Sequence, residues 1–238
     1  MTDVNALIDG AKTLGIDLTK EKENKFILYK ELLKEWNQKI NITSITDNVE
    51  IDIKHFIDSI TPFTTNLFNG KAKVIDIGTG GGFPGIPLKI VNEDLDVVLL
   101  DSLNKRITFL NEVISTLKLE DIIAIHGRAE EFGRDKDYRE KYDIAISRAV
   151  ASLNTLSEYT LPFVKVGGHF IAMKGSEIEE ELIEAKKGIG MLGGKVVDVK
   201  TLILPESNIA HSLIIIEKVK ETPTKYPRGG GKPKKKPL

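Results

Sequence analysis

Asp76, Gly78, Gly80 and Gly82 alternate along the run VIDIGTGGGFPG (residues 74–85), where residue types and spacing most clearly fit chemistry. An apolar segment (Val74, Ile75, Ile77) feeds a turn with five glycines in eight residues, and Pro84 stands where a helix can begin. Glycine lets backbone N–H groups approach a ligand that any side chain would hold off, and so dense a run has an entropic cost that an unused turn would not offset. Acid-x-Gly-x-Gly-x-Gly is the spacing of S-adenosylmethionine (AdoMet) sites. The same run contains Gly80-x-Gly82-x-x-Gly85, the dinucleotide fingerprint, in a frame that starts two residues after Gly78 has ended the strand. AdoMet is the expected ligand, with Gly78, Gly80 and Gly82 at its methionine part and Phe83 as a wall; a nicotinamide dinucleotide is the rival.

Ligands of open α/β sheets bind beyond the carboxyl ends of the strands, so the residues after each strand candidate come next. Asp101, twenty-one residues past Gly80, can accept both ribose hydroxyls, or it or Ser102 can cap the following helix; the two roles are compatible. In Gly127-Arg128-Ala129-Glu130, the Ala129 N–H and the Glu130 side chain suit an adenine edge, or form a surface turn with a helix-start acid. Arg148 can hold the cofactor carboxylate or an RNA phosphate by a bidentate pair, or make a structural salt bridge; its catalytic role would be positioning, not that of a base. Lys174 is a second cation at this rim.

Absences narrow the reaction. There is no cysteine, which excludes disulfides, thiolate metal sites and the nucleophile that pyrimidine C5 methylation needs. The four histidines are scattered, so no metal is expected. No Asn-Pro-Pro-Tyr type motif for exocyclic amines follows the fourth strand. Ring nitrogens, carbons of small substrates and oxygens remain. Guanine N7 carries a lone pair and no proton, so its methylation needs alignment and exclusion of water but no general base.

The elements that must position these residues follow from periodicity. In 20–40, Phe26, Tyr29, Leu33, Trp36 and Ile40 are spaced 3, 4, 3, 4 and form one helical face, with Thr19 as cap and Asn41 as stop. Trp36 reads as a core anchor, with base stacking as the alternative. Strands are expected at Lys73–Ile77, Asp96–Leu100, Ile122–His126, Tyr142–Ser147, His169–Met173, Val196–Leu204 and His211–Lys218. Helices are expected at Pro84–Val91, Asn104–Leu117, Ala129–Phe132, Leu153–Val164 and Ser176–Met191. The link Pro205–Ala210 is too short for a helical crossover, so the last strands pair antiparallel. The expected fold is α/β: a Rossmann-like AdoMet-dependent methyltransferase fold with a seven-stranded, mostly parallel sheet, an antiparallel last strand and an N-terminal helical extension. Boundaries are drawn at 1–65 (helical cap), 66–220 (Rossmann-like domain) and 221–238 (a basic, flexible tail, extended or disordered in isolation).

The 238-residue chain has a net charge of −1 that hides an asymmetry. Residues 218–238 hold eight bases and one acid, leaving about −8 on the rest. A basic tail on an acidic body suits a polyanionic partner or serves solubility. No apolar run approaches the roughly 20 residues that span a bilayer, and the N-terminus has no signal-peptide pattern, so no membrane association and a cytoplasmic location are expected. The lack of a long apolar surface stripe suggests a monomer.

Taken together, the segments Tyr29…Trp36-Asn37…Asn41-Ile42-Thr43, His55-x-x-Asp58-Ser59, DIGTGGGFPGIPL (76–88), DSLNKRITFL (101–110), HGRAEEF (126–132), SRAVASL (147–153), LPFVKVGGHFIAMKG (161–175) and KYPRGGGKPKKKPL (225–238) resemble the RsmG (GidB) family of bacterial 16S rRNA guanine-N7 methyltransferases over nearly the whole chain. The resemblance implies AdoMet contacts at Gly78, Phe83, Ala129, Glu130 and Arg148, with Asp101 on the ribose. It implies a guanine of the decoding-region loop as target, in 16S rRNA, the 30S ribosomal subunit or its precursor. His55, Asp58 and Ser59 share a helix face and either close over the cofactor or, the preferred reading, tie the helices to the sheet. The tail becomes an rRNA clamp: Lys225, Arg228, Lys232, Lys234, Lys235 and Lys236 against phosphates, Tyr226 free to stack. Removing 225–238 is then expected to weaken RNA binding and leave AdoMet binding intact. A nicotinamide oxidoreductase and a non-catalytic RNA-binding protein are the alternatives.

Overall fold

A computed structural model describes residues 4–148 and 151–238. The N-terminal region is helical. Helix α1 is Asn5–Thr13 and α2 is Lys20–Ile40, whose first turn is capped by the Thr19 hydroxyl accepting from Lys22 N and which ends at Asn41 in the left-handed region. Next, α3 (Asn48–Ile51) runs through a π-helical stretch, Asp52–Ile57, into α4 (Asp58–Ile60) and a 3-10 turn, Thr61–Thr65.

Strands and helices then alternate: β1 Ala72–Ile77, α5 Gly85–Val91, β2 Leu95–Asp101, α6 Asn104–Thr116, β3 Ile122–His126, α7 Ala129–Phe132 and β4 Tyr142–Arg148. They continue with α8 Leu153–Thr160, β5 Val164–Lys174, α9 Glu179–Met191, β6 Gly194–Ile203, β7 Ala210–Lys218 and a short α10, Lys232–Lys235. The sheet order is β3-β2-β1-β4-β5-β7-β6. The pairs among β1–β5 are parallel, and β7 runs antiparallel to both β5 and β6. The order reverses between β1 and β4, and a crevice opens at such a switch point.

Alternation along each strand feeds two cores. Val74, Val97 and Leu99 face one cluster; Ile75, Ile77, Val98 and Leu100 face the other, with α8 and α9. The first cluster also holds Phe26, Tyr29, Leu33 and Phe56, so the N-terminal helices share a core with one face of the sheet across the boundary drawn at residue 65. Trp36 packs on its edge, 5.8 Å from the Phe109 ring. A buried pair, Lys30–Asp52 at 2.6 Å, ties α2 to the π-helical stretch.

Two boundaries depart most from the periodicity reading. Helix α8 ends at Thr160, where Leu161–Phe163 form a 3-10 turn around Pro162, and β5 starts at Val164, five residues earlier than expected. The tail also differs. Tyr226 and Pro233 are buried, and Arg228 pairs with the buried Glu158 through Nε (2.9 Å) and Nη2 (2.6 Å). Arg139 donates to the carbonyls of Thr222 (2.6 Å) and Tyr226 (2.9 Å), and Arg134 to that of Pro227 (2.7 Å). Isolated anchors hold this segment, and isolated anchors leave no periodicity in a sequence.

Candidate active site

Gly78, Gly80 and Gly82 have φ of 72°, 61° and 94°, the region that favours glycine. A Cβ on Gly82 would come within 2.6 Å of both Ile86 Cδ1 and Tyr29 Oη. The loop continues β1 outward: Gly78 N and Thr79 N donate to the Leu100 carbonyl at 2.8 and 3.2 Å. Asp76, fully buried, organises it from below. Its Oδ2 accepts from Thr79 Oγ1 (2.7 Å) and Gly85 N (2.9 Å), and burial pushes its carboxyl up to about 6. From above, the Tyr29 hydroxyl donates to the Gly81 carbonyl. Gly85 packs helix α5 onto Leu99.

Phe83 stacks with the Tyr29 ring at 5.4 Å and the His55 ring at 4.6 Å. The Arg148 guanidinium lies 5.1 Å from the Phe83 centroid. Burial and the neighbouring Arg148 charge lower the His55 pKa to about 4, so this imidazole is neutral at physiological pH.

Asp101 meets the loop across the crevice. Oδ2 accepts from Gly80 N (2.9 Å) and Arg106 Nη1 (3.1 Å), and Oδ1 from Leu103 N (2.9 Å). The acid therefore braces the turn before α6, whose N-cap is Leu103 without a side-chain cap. Arg106 was absent from the sequence reading. Its signal was available: it lies five residues after Asp101, one turn into a helix that begins beside the acid.

Two cavities meet here. One, of about 420 Å³, is lined by Ile77, Leu100, Ala129 and Glu130; the other, of about 410 Å³, by Gly80, Gly81, Phe83, Arg106 and Arg148. Both are bounded by Gly78, Asp101 and Ser102. All the expected cofactor residues except Gly82 line one of them, and Ser102 lines both. Gly82 instead lies against Tyr29 and Ile86, a packing position behind the loop. The pair of cavities fits AdoMet: an apolar chamber with two acids for the nucleoside, joined to a polar glycine-walled chamber for the amino acid.

Arg148 makes the structural salt bridge that was the alternative to an anion contact, while still lining the glycine-walled cavity. Its Nη1 donates to Asp58 Oδ2 at 2.7 Å and to the Lys54 carbonyl at 3.1 Å, and Asp58 also pairs with His211 on β7. These charges hold the Asp58 carboxyl below its usual range despite burial. Asp58 thus joins the helical region to the ends of β4 and β7. A third cavity, of about 430 Å³, opens beside these residues and Lys174. Lys174 is occupied: it donates to the Ala151 carbonyl (2.6 Å) and pairs with Glu181 (2.8 Å). Of the expected tail contacts, Tyr226 is 5% exposed and not free to stack, and Arg228 is neutralised by Glu158. Lys225, Lys232, Lys234, Lys235 and Lys236 are exposed. Ala149 and Val150 lie outside the described residues, among which no acid–histidine group could hold a metal.

Fold and site together define a Rossmann-like methyltransferase that uses AdoMet. Solved structures with this architecture include M. jannaschii TYW2 in complex with AdoMet, at a TM-score of 0.52 and 20% identity over 68% of this chain and 76% of that one. Thermus thermophilus TrmN scores 0.51 at 16% identity over 70% of this chain and 53% of that one. Residues 22–210 match the family described as rRNA small subunit methyltransferase G (GidB), and the chain belongs to it. Ribosomal RNA small subunit methyltransferase G of Acetivibrio thermocellus is 56% identical over 98% of this chain and 95% of its own length. That of Alkaliphilus oremlandii is 52% identical over 98% and 97%.

Proposed function

We propose that this protein methylates N7 of a guanine in the decoding-region loop of 16S rRNA, using AdoMet. The observation that carries the reading is the double cavity at the β1/β4 switch point, in a chain that matches this family over most of its length. Bound AdoMet supplies an activated methyl group. The loop Gly78–Phe83 and Arg148 hold its amino-acid part, Asp101 the ribose, and Ala129 and Glu130 the adenine. The neutral His55 and the Phe83 ring exclude water beside the site where the methyl group would lie. No side chain need take a proton from N7, so these residues align the reactants rather than act as acid or base.

The RNA lies along the exposed lysines 225, 232, 234, 235 and 236, in naked 16S rRNA, the 30S subunit or its precursor. The exposed large apolar residues of the described chain are spread along the sequence without a long stripe, which favours a monomer. A ribosomal substrate puts the protein in the cytoplasm, and no helix among the described residues is long and apolar enough to cross a membrane.

The test is incubation with methyl-labelled AdoMet and either undermethylated 30S subunits or naked 16S rRNA, followed by reduction and aniline cleavage. A single cleavage at a guanine is expected; unlabelled RNA would remove the proposal. Calorimetric titration should show AdoMet binding and no NAD binding.

A further inference from the structure

Part of the wall of the cavity lined by Leu100, Ala129 and Glu130 comes from the C-terminal segment: Gly231, Lys234 and Lys235. That segment is firmly placed. Arg228 grips Glu158 through two nitrogens, Pro233 is buried, and the Pro233 carbonyl accepts from Thr155 Oγ1 on α8 at 3.2 Å.

Lys234 and Lys235 line the cavity and are also exposed residues. A lysine achieves both when its aliphatic stem covers a wall and its ammonium stays in water. Neither forms an ion pair among the described residues. Lys174, Lys218 and Arg228, by contrast, are each neutralised by a glutamate. Two of the tail's exposed lysines thus sit where the tail walls the cofactor cavity.

We propose that residues 229–238 form part of the AdoMet pocket and that RNA phosphates on Lys234 and Lys235 hold that wall closed, so that RNA and cofactor bind with positive cooperativity. The inference rests on the AdoMet reading of the cavity. A polyanion that prefers the closed segment raises cofactor affinity, and by linkage the cofactor raises RNA affinity by the same factor. It reverses the sequence-based expectation that the tail is irrelevant to AdoMet.

The test measures AdoMet affinity by calorimetry for the full chain, a chain ending after Arg228, and the double variant K234E/K235E. Each is titrated with and without an oligouridine of about 20 nucleotides, which offers phosphates but no target guanine. Truncation should weaken AdoMet binding about tenfold, because it strips apolar wall from the cavity. Oligouridine should tighten binding to the full chain about fivefold, an effect that fades with added salt. The charge reversal keeps Arg228 and Pro233 in place. Its affinity for AdoMet alone is its own reference, and adding oligouridine should leave that affinity unchanged. Equal AdoMet affinity in truncated and full chains would overturn the wall. Unchanged affinity of the full chain on adding RNA would overturn the cooperativity. Failure of the full chain to bind AdoMet at all would instead remove the cofactor reading beneath both.

Discussion

Replacing Asp76 with asparagine should change how stability depends on pH, in a direction opposite to that of an ordinary surface carboxylate. Asp76 is wholly buried under the glycine loop and its Oδ1 has no hydrogen-bond partner among the described residues, and burial raises its pKa from 3.8 to about 6 in the folded chain. Below pH 3.8 the group is protonated whether the chain is folded or not. Between 3.8 and 6 the unfolded chain has released this proton and the folded chain has not, so stability falls as pH rises, and the loss levels off above pH 6. Two pKa units at 1.36 kcal/mol each give a full penalty of about 3 kcal/mol, of which about 2 kcal/mol falls between pH 4.5 and 7.5. In Asp76→Asn the carboxamide oxygen can still accept from Thr79 and Gly85, and any cost of its buried NH₂ is the same at every pH. The measurement is urea unfolding of the ligand-free wild type and variant across that range. The wild type should lose about 2 kcal/mol relative to the variant as pH rises. Parallel stability curves would refute the argument, since they would mean that the carboxyl titrates alike in folded and unfolded chains.

Gly82→Ala forces a Cβ to within 2.6 Å of Ile86 and Tyr29 at φ 94°; strain and overpacking together should cost about 2–4 kcal/mol, read as a lower urea midpoint with unchanged slope. Lys30→Met leaves Asp52 buried without its 2.6 Å partner and should cost about 3–5 kcal/mol, while Lys30→Met combined with Asp52→Leu should recover much of it. Asp101→Ala removes the acceptor of Gly80 N and Arg106 as well as the proposed ribose acceptor, and should weaken AdoMet binding about 100-fold by calorimetry.

What the sequence revealed was local. The alternating apolar positions of β1 and β2, the 3-4-3-4 face of α2 and the three glycines each follow from a chain's response to its near neighbours, and spacing records that response. The rim positions were also legible, because the end of each strand fixes them. The partners of those positions were not. Arg148 was correctly placed at the crevice, yet its guanidinium is held by Asp58, 90 residues away, and Asp58 in turn by His211.

Pairs of this kind depend on how far apart in sequence the folded neighbours are, which no periodicity encodes. The same cause misled the reading of charge. Six basic residues near the C-terminus suggested one uniform clamp, but Arg228 is spent on Glu158; Lys218, counted in the basic excess, is fully buried against Glu140 and the carbonyls of Leu161 and Val164. A cation with a buried carboxylate partner is a fastening, and only cations without one remain to meet phosphate. Among the tail residues this distinction separates Arg228, which fixes where the segment lies, from Lys234 and Lys235, which fix what the segment can touch once it lies over the cofactor cavity.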